Sequence, residues 1–153
     1  MYKKIMVPLD GSELAEVVLP HVEAFIKGFD ISDVILVRVL EPDTTSVQIS
    51  KVQDIKKQAT AHEYEKQKKD SAKEYLNQIS ERLKQEETLV HSEVFVGRVA
   101  ESLIDYTDSN DIDIIIMASR GRSGITRWLM GSVADKLFRS ASVPVFMVKA
   151  TGI

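Results

Sequence analysis

Ile112-Asp113-Ile114-Ile115-Ile116-Met117-Ala118-Ser119-Arg120-Gly121-Arg122-Ser123-Gly124 is the stretch whose reading decides the fold. Its first half is a short run of branched aliphatic residues. Such a run reads as a strand buried on both faces, which is the habit of parallel sheets. Its second half turns abruptly to glycine, serine and arginine. Working outward, three more apolar runs of the same kind appear: Ile5-Met6-Val7, residues 34–40 (interrupted only by Arg38) and residues 143–148. A fifth, residues 89–96, alternates with polar residues and reads as a strand nearer the sheet edge.

Helical periods separate these runs. Leu14, Val18, Val22 and Phe25 share one face, with Ser12 as N-cap, Gly28 as C-terminal stop and Pro20 as the cause of a bend. Ala72, Tyr75, Leu76, Ile79 and Leu83 mark a second helix, which starts as early as Lys51. Ala100, Leu103, Ile104 and Thr107 mark a third, and Val133, Leu137, Phe138 and Ala141 a fourth. The alternation of strand and helix predicts an α/β fold: a doubly wound, five-stranded parallel sheet of order 3-2-1-4-5, with helices on both faces and right-handed crossovers. Arg38 is expected to reach solvent at the sheet end. Residues 41–58 are polar and form the candidate for a mobile loop. Residues 51–87 carry nine basic and eight acidic side chains, a solvated helix face rather than a charged arm.

Composition agrees. The chain has 153 residues, a formal net charge of −3 and 44% hydrophobic residues, so it is expected to form one domain over 1–153 with a full core. The absence of cysteine excludes disulfides, thiolate catalysis and zinc–cysteine sites, and fits a reducing compartment. Mild acidity argues against nucleic-acid binding. No signal peptide or membrane-spanning run is visible, so a cytoplasmic location with no membrane association is expected.

In an open α/β sheet, ligands bind outside the carboxyl ends of the strands, where strand order reverses. For the order 3-2-1-4-5 that point lies between strands one and four. After strand one comes Pro8-Leu9-Asp10-Gly11-Ser12, which a helix cap and a turn would explain by themselves. After strand four, thirteen residues (119–131) precede Ser132 and the fourth helix, where connections of about two to six are usual. The stretch from Ser119 to Arg139 carries five basic residues against one acid on a chain that is acidic overall. Glycines let backbone amides approach a phosphate, and Gly131-Ser132 presents a helix N-terminus with its free donors. Neither G-x-x-x-x-G-K-[ST] nor G-x-G-x-x-G is present, so a nucleotide would be held differently.

His21, His62 and His91 are scattered without metal-ligand spacing, and Ser123 and Ser132 have no base beside them in sequence. Trp128, with Ile125 and Leu129, reads as a packing cluster over the loop. A phospho-acceptor receiver domain needs an acid at the end of strand three, and Val94-Phe95-Val96-Gly97 supplies none.

Lys4-Ile5-Met6-Val7-Pro8-Leu9-Asp10-Gly11-Ser12, the second strand, Gly97 after strand three, Asp113-Ile114-Ile115-Ile116-Met117, and the closing Gly131-Ser132-Val133-Ala134 through Val143-Pro144-Val145 together resemble the universal stress protein family. The resemblance covers essentially the whole chain. Nucleotide-binding members carry G-x-x-G-x9-G-[ST] after strand four. Gly121, Gly131 and Ser132 match it, and Ala118 stands at the first glycine.

The resemblance implies an ATP-binding regulatory protein of the stress response, with ATP or AMP as ligand and Mg2+ held through phosphate oxygens and water. Pro8 and Asp10 would border adenine and ribose, and the Val39 backbone would hydrogen-bond the adenine. Met117 and Ala118 would line the floor, Gly121 and Arg122 would approach the phosphates, and Gly131, Ser132 and Val133 would hold them. No general base faces a γ-phosphate, so hydrolysis would be slow at most. The resemblance also implies a homodimer through the last strand, with Val143, Val145 and Met147 pairing its edge. The alternative is a dimeric member that has lost nucleotide binding and serves as a protein-interaction module, for which Ala118 is the sequence support.

Overall fold

The computed structural model describes residues 1–42, 55–119 and 131–150, with side chains along the second helix from residue 61. Five strands, β1 (Lys4–Pro8), β2 (Asp33–Leu40), β3 (Leu89–Val96), β4 (Ile114–Ala118) and β5 (Val145–Val148), form one parallel sheet in the order β3-β2-β1-β4-β5. The helices are α1 (Leu19–Phe29), α2 (Ile55–Leu83), α3 (Val99–Ser109) and α4 (Ser132–Ser140). The predicted fold class, strand order and helical alternation are all observed.

The strands are apolar on both faces because both faces are covered. Side chains alternate along a strand, and two separate core clusters result. Ile5, Val7, Val34, Leu36, Ile114 and Ile116 join Val22, Leu76, Ile79 and Leu83 from α1 and α2 on one face. Met6, Ile35, Val37, Ile115 and Met117 join Leu103 of α3 and Leu137 of α4 on the other. At the amino end of the sheet, Asp113 Oδ2 accepts the amides of Lys3 (2.8 Å) and Lys4 (2.9 Å), which ties the approach to β4 onto the start of β1.

Four local expectations are corrected. Pro20 is not interior to a helix: a single 3-10 turn (Ala15–Val18) precedes α1, so the proline falls in the first turn of α1. Its missing N–H removes no hydrogen bond there. Ser12 sits ahead of that 3-10 turn rather than capping α1, and its hydroxyl accepts the Ala15 amide at 3.3 Å. Gly28 lies within α1. The stop is Asp30, left-handed at φ 55°, whose carbonyl and carboxylate both accept from Lys3 Nζ (3.1 and 2.6 Å). Aspartate is one of the few residues that visit this conformation readily. Phe138 is 60% exposed rather than part of the buried face of α4. Of the loop expected over 41–58, residues 43–54 lie outside the described residues and Ile55 onward is already α2. Trp128 also lies outside them.

Candidate functional site at the parting of β1 and β4

Registered pairs between β1 and β4 are confined to Ile5↔Ile114 and Met6↔Ile115. Beyond them β1 continues beside β2 as far as Pro8↔Val37, and β4 beside β5 as far as Ala118↔Val148. The two central strands therefore part at their carboxyl ends, where the reversal of strand order predicts a crevice.

On the β1 side, the chain leaves the strand with the Leu9 amide still bonded to the Val37 carbonyl (2.9 Å). Asp10 follows. Its Oδ1 accepts both the Ser12 amide (2.8 Å) and the Ser12 hydroxyl (2.5 Å), so the carboxylate is fixed in one rotamer. No described residue bonds to Oδ2, which remains an acceptor for a hydroxyl group. Gly11 has φ +83°, and a Cβ there would lie 3.1 Å from Arg38 Nη1 and 3.3 Å from Cζ. The guanidinium, partly exposed near the carboxyl end of β2, thus lies against Gly11. Gly11→Ala is expected to cost about 1–2 kcal/mol, mostly from the left-handed backbone. Urea unfolding would show this as a lower midpoint at unchanged m.

On the β4 side, Met117 and Ala118 are buried, Met117 in the α3/α4 cluster and Ala118 in the α1/α2 cluster. The Ser119 carbonyl accepts the Gly131 amide (3.2 Å), and the Gly131 carbonyl accepts the Asp135 amide (2.9 Å), the first bond of α4. The start of α4 is thereby pinned to the end of β4. The amides of Ser132, Val133 and Ala134 precede that first bond, and no side chain caps the helix. They form a donor cluster at the positive end of the helix dipole. Gly131 and Ser132 are exposed, and Val133 is partly buried against the α3/α4 cluster. Among the described residues, a Cβ on Gly131 would meet only the Ser119 carbonyl oxygen, at an ordinary 3.7 Å, and its φ is −52°. Its own backbone does not require glycine.

Of the residues expected at the site, the structure brings Pro8, Asp10, Met117, Ala118, Gly131, Ser132 and Val133 to the two banks of this crevice. Val39 lies two residues past the Pro8↔Val37 pair, on the neighbouring strand. Gly121 and Arg122 lie outside the described residues.

Asp10 and Val39 also border a pocket of about 1000 Å³ whose far wall is α2. Sequence reading missed Arg38 and the α2 residues Tyr64, Gln67, Lys68, Ser71 and Tyr75 that line it. Their signal was a polar and aromatic stripe at helical spacing that continues the apolar stripe of Ala72, Leu76, Ile79 and Leu83. Tyr75 donates to Glu16 Oε2 (3.2 Å), and Arg82 grips Glu16 Oε1 (2.8 Å), so α2 is fastened to the 3-10 turn behind Asp10. Burial, and then the Glu16 carboxylate, push the Tyr75 phenol far above its usual range, so it stays neutral. Among the described residues no histidine–carboxylate cluster suited to a metal occurs, and no helix is long and apolar enough to cross a membrane.

The model of the universal stress protein family matches residues 1–149, and the chain belongs to that family. Universal stress protein MJ0577 of Methanocaldococcus jannaschii is 32% identical over 157 residues, covering 97% of this chain and 96% of that one. The solved structure of MJ0577 superposes with a TM-score of 0.83 at 29% identity, covering 100% of this chain and 99% of that one. The universal stress protein from Archaeoglobus fulgidus in complex with dAMP shares the fold (TM-score 0.63, 22% identity, 97% and 98% covered). So does a universal stress protein in complex with cAMP (TM-score 0.66, 17% identity, 98% of each chain covered).

Proposed function

We propose that this universal stress protein binds an adenine nucleotide, ATP or AMP, in the crevice between β1 and β4 and acts as a nucleotide-dependent regulator in the stress response. The observation that carries the reading is the α4 start: donor amides of Ser132 and Val133, pinned by Gly131 to the end of β4, beside strands that part. Such a terminus binds phosphate through oriented N–H groups and the helix dipole. Asp10, locked by Ser12, has an oxygen left to accept from a ribose hydroxyl. Pro8 and the Val39 backbone take the adenine, Met117 and Ala118 form the floor, and Gly121 and Arg122 reach the phosphates. The methyl group of Ala118 belongs to the core under α1, which favours binding over the reading in which this alanine excludes a ligand. The dAMP and cAMP complexes of relatives support the ligand class. Mg2+ would join through phosphate oxygens and water. Hydrolysis plays no part in this reading.

Calorimetric titration of the full chain with ATP and with AMP, with and without Mg2+, tests it. Saturable one-site binding supports the reading; no heat and no co-purifying nucleotide would overturn it.

The second part of the proposal is a homodimer through β5. The bonds Ile115 N–H to Pro144 and Ser119 N–H to Val148 show that even-numbered β5 residues face β4. The N–H and C=O groups of Val145 and Met147 therefore point to the open edge, which a second copy would cover. Phe146, 38% exposed, lies on this edge strand beside Phe25 and His21. Light scattering is expected to give twice the chain mass, and Met147→Pro, which removes an outward donor, is expected to yield monomer.

A further inference from the structure

β3 is the outermost strand of the sheet, and among the described residues it pairs only with β2. The Leu89 amide donates to Ser32 and the Gly97 amide to Leu40, so the odd-numbered residues turn their N–H and C=O groups toward β2. Those of Val90, Ser92, Val94 and Val96 therefore point to the open edge. No residue of this strand is buried, although it is mostly apolar, and Leu89 is 63% exposed. At eight residues it is twice as long as β5, the opposite edge. A long, partly apolar edge of this kind is a template for another strand.

Leu89-Val90-His91-Ser92-Glu93-Val94-Phe95 forms chemically matched pairs from its two ends inward. Turned end for end about a two-fold axis at Ser92, Leu89 meets Phe95, Val90 meets Val94, His91 meets Glu93 and Ser92 meets itself. The outward-pointing residues then face one another, Val90 opposite Val94 and Ser92 opposite Ser92, as an antiparallel ladder needs. Val90 and Val94 both belong to the α1/α2 face and Phe95 to the α3/α4 face. Alternation puts Leu89, His91 and Glu93 on the same face as Phe95, so every matched pair shares one side of the joined sheet. An apolar pair, a valine pair and an imidazole opposite a carboxylate are all favourable cross-strand partners. His91 also bonds Asp33 of β2 at 3.2 Å, which restrains its ring. Moving the axis one residue toward Val94 sets Glu93 against Glu93, and like charges directly opposite are destabilising. Moving it the other way sets His91 against His91 and shortens the overlap.

We propose that the β3 edge is a self-complementary interface: a second copy of this chain adds its own β3 antiparallel across a two-fold axis at Ser92, and the sheet continues from one protomer into the next. The proposal is independent of the nucleotide reading. Because β5 lies at the other end of the sheet, this contact joins β5-linked chains to one another. Only one short pair of strands is made, so the contact is expected to be weak and to fill as concentration rises.

The test is oxidative cross-linking of the full chain, which has no cysteine of its own. In an antiparallel ladder, two residues that exchange both bonds have Cα atoms about 5.5 Å apart, a separation that a disulfide spans. Ser92→Cys is therefore expected to give a disulfide-linked pair of chains under mild oxidation. Val90→Cys, which faces Val94 rather than itself, is expected to cross-link severalfold less, and Val90→Cys combined with Val94→Cys to restore the product. In sedimentation the mean mass of wild type is expected to rise with concentration, and to rise less in Ser92→Pro. The proline lacks an N–H that faces outward, so it takes nothing from the ladder with β2. No cross-link in Ser92→Cys, equal cross-linking in Ser92→Cys and Val90→Cys, or a mass in Ser92→Pro that follows wild type at every concentration would each overturn the proposal.

Discussion

Gly131→Trp is expected to abolish measurable adenylate binding while leaving the protein folded. Gly131 is exposed, its φ of −52° suits any residue, and among the described residues a Cβ there makes only an ordinary contact with the Ser119 carbonyl. Gly131 immediately precedes the amides of Ser132 and Val133, so an indole there is expected to crowd a phosphate bound to them. Each hydrogen bond between an amide and a charged phosphate oxygen contributes about 1.5–3 kcal/mol. Losing two corresponds to a fall in affinity of about 10²–10⁴ at 1.4 kcal/mol per tenfold. Calorimetry gives the affinity and a thermal melt gives the fold. Gly131→Ala is the calibrating variant: its stability is expected to stay within about 0.5 kcal/mol of wild type. Wild-type affinity in Gly131→Trp would mean that phosphates do not sit at this helix start.

Leu76→Ala is expected to be the most destabilising of the substitutions considered. Leu76 is fully buried and packs α2 against the cluster formed by β1, β2 and α1. Truncation to alanine removes transfer free energy and leaves a cavity, together about 2–5 kcal/mol. For a domain of this size, 3 kcal/mol lowers the melting temperature by about 6–12 °C. An unshifted melt would mean that α2 does not pack where it is described.

The order of the strands was legible because four of the five runs are apolar on both faces, a pattern that only a sheet covered on both sides demands. The crevice was legible for the same reason: strand order fixes where neighbouring crossovers diverge, and the thirteen-residue connection marks one of its banks. Local detail was less accessible. Reading a helix from Ser12 put Pro20 in its interior, whereas the chain spends that stretch in a 3-10 turn and begins α1 one residue before the proline. Glycine is the default residue for a left-handed stop, yet Lys3, 27 positions earlier, secures that conformation at Asp30. Arg38 and the α2 wall were not legible. Where their side chains converge depends on how far a helix runs past the strands it covers, and hydrophobic period carries no such distance.

The sheet is joined across its middle by only two registered residue pairs, Ile5↔Ile114 and Met6↔Ile115. Beyond those pairs its backbone bonds form two ribbons, one of three strands and one of two, and side-chain packing in the two cores joins them. An occupant of the open end touches both ribbons and braces a joint that the backbone leaves short. Occupancy would then be felt as stiffness at β5, the outermost member of the smaller ribbon, with no residue of that strand in contact with the ligand.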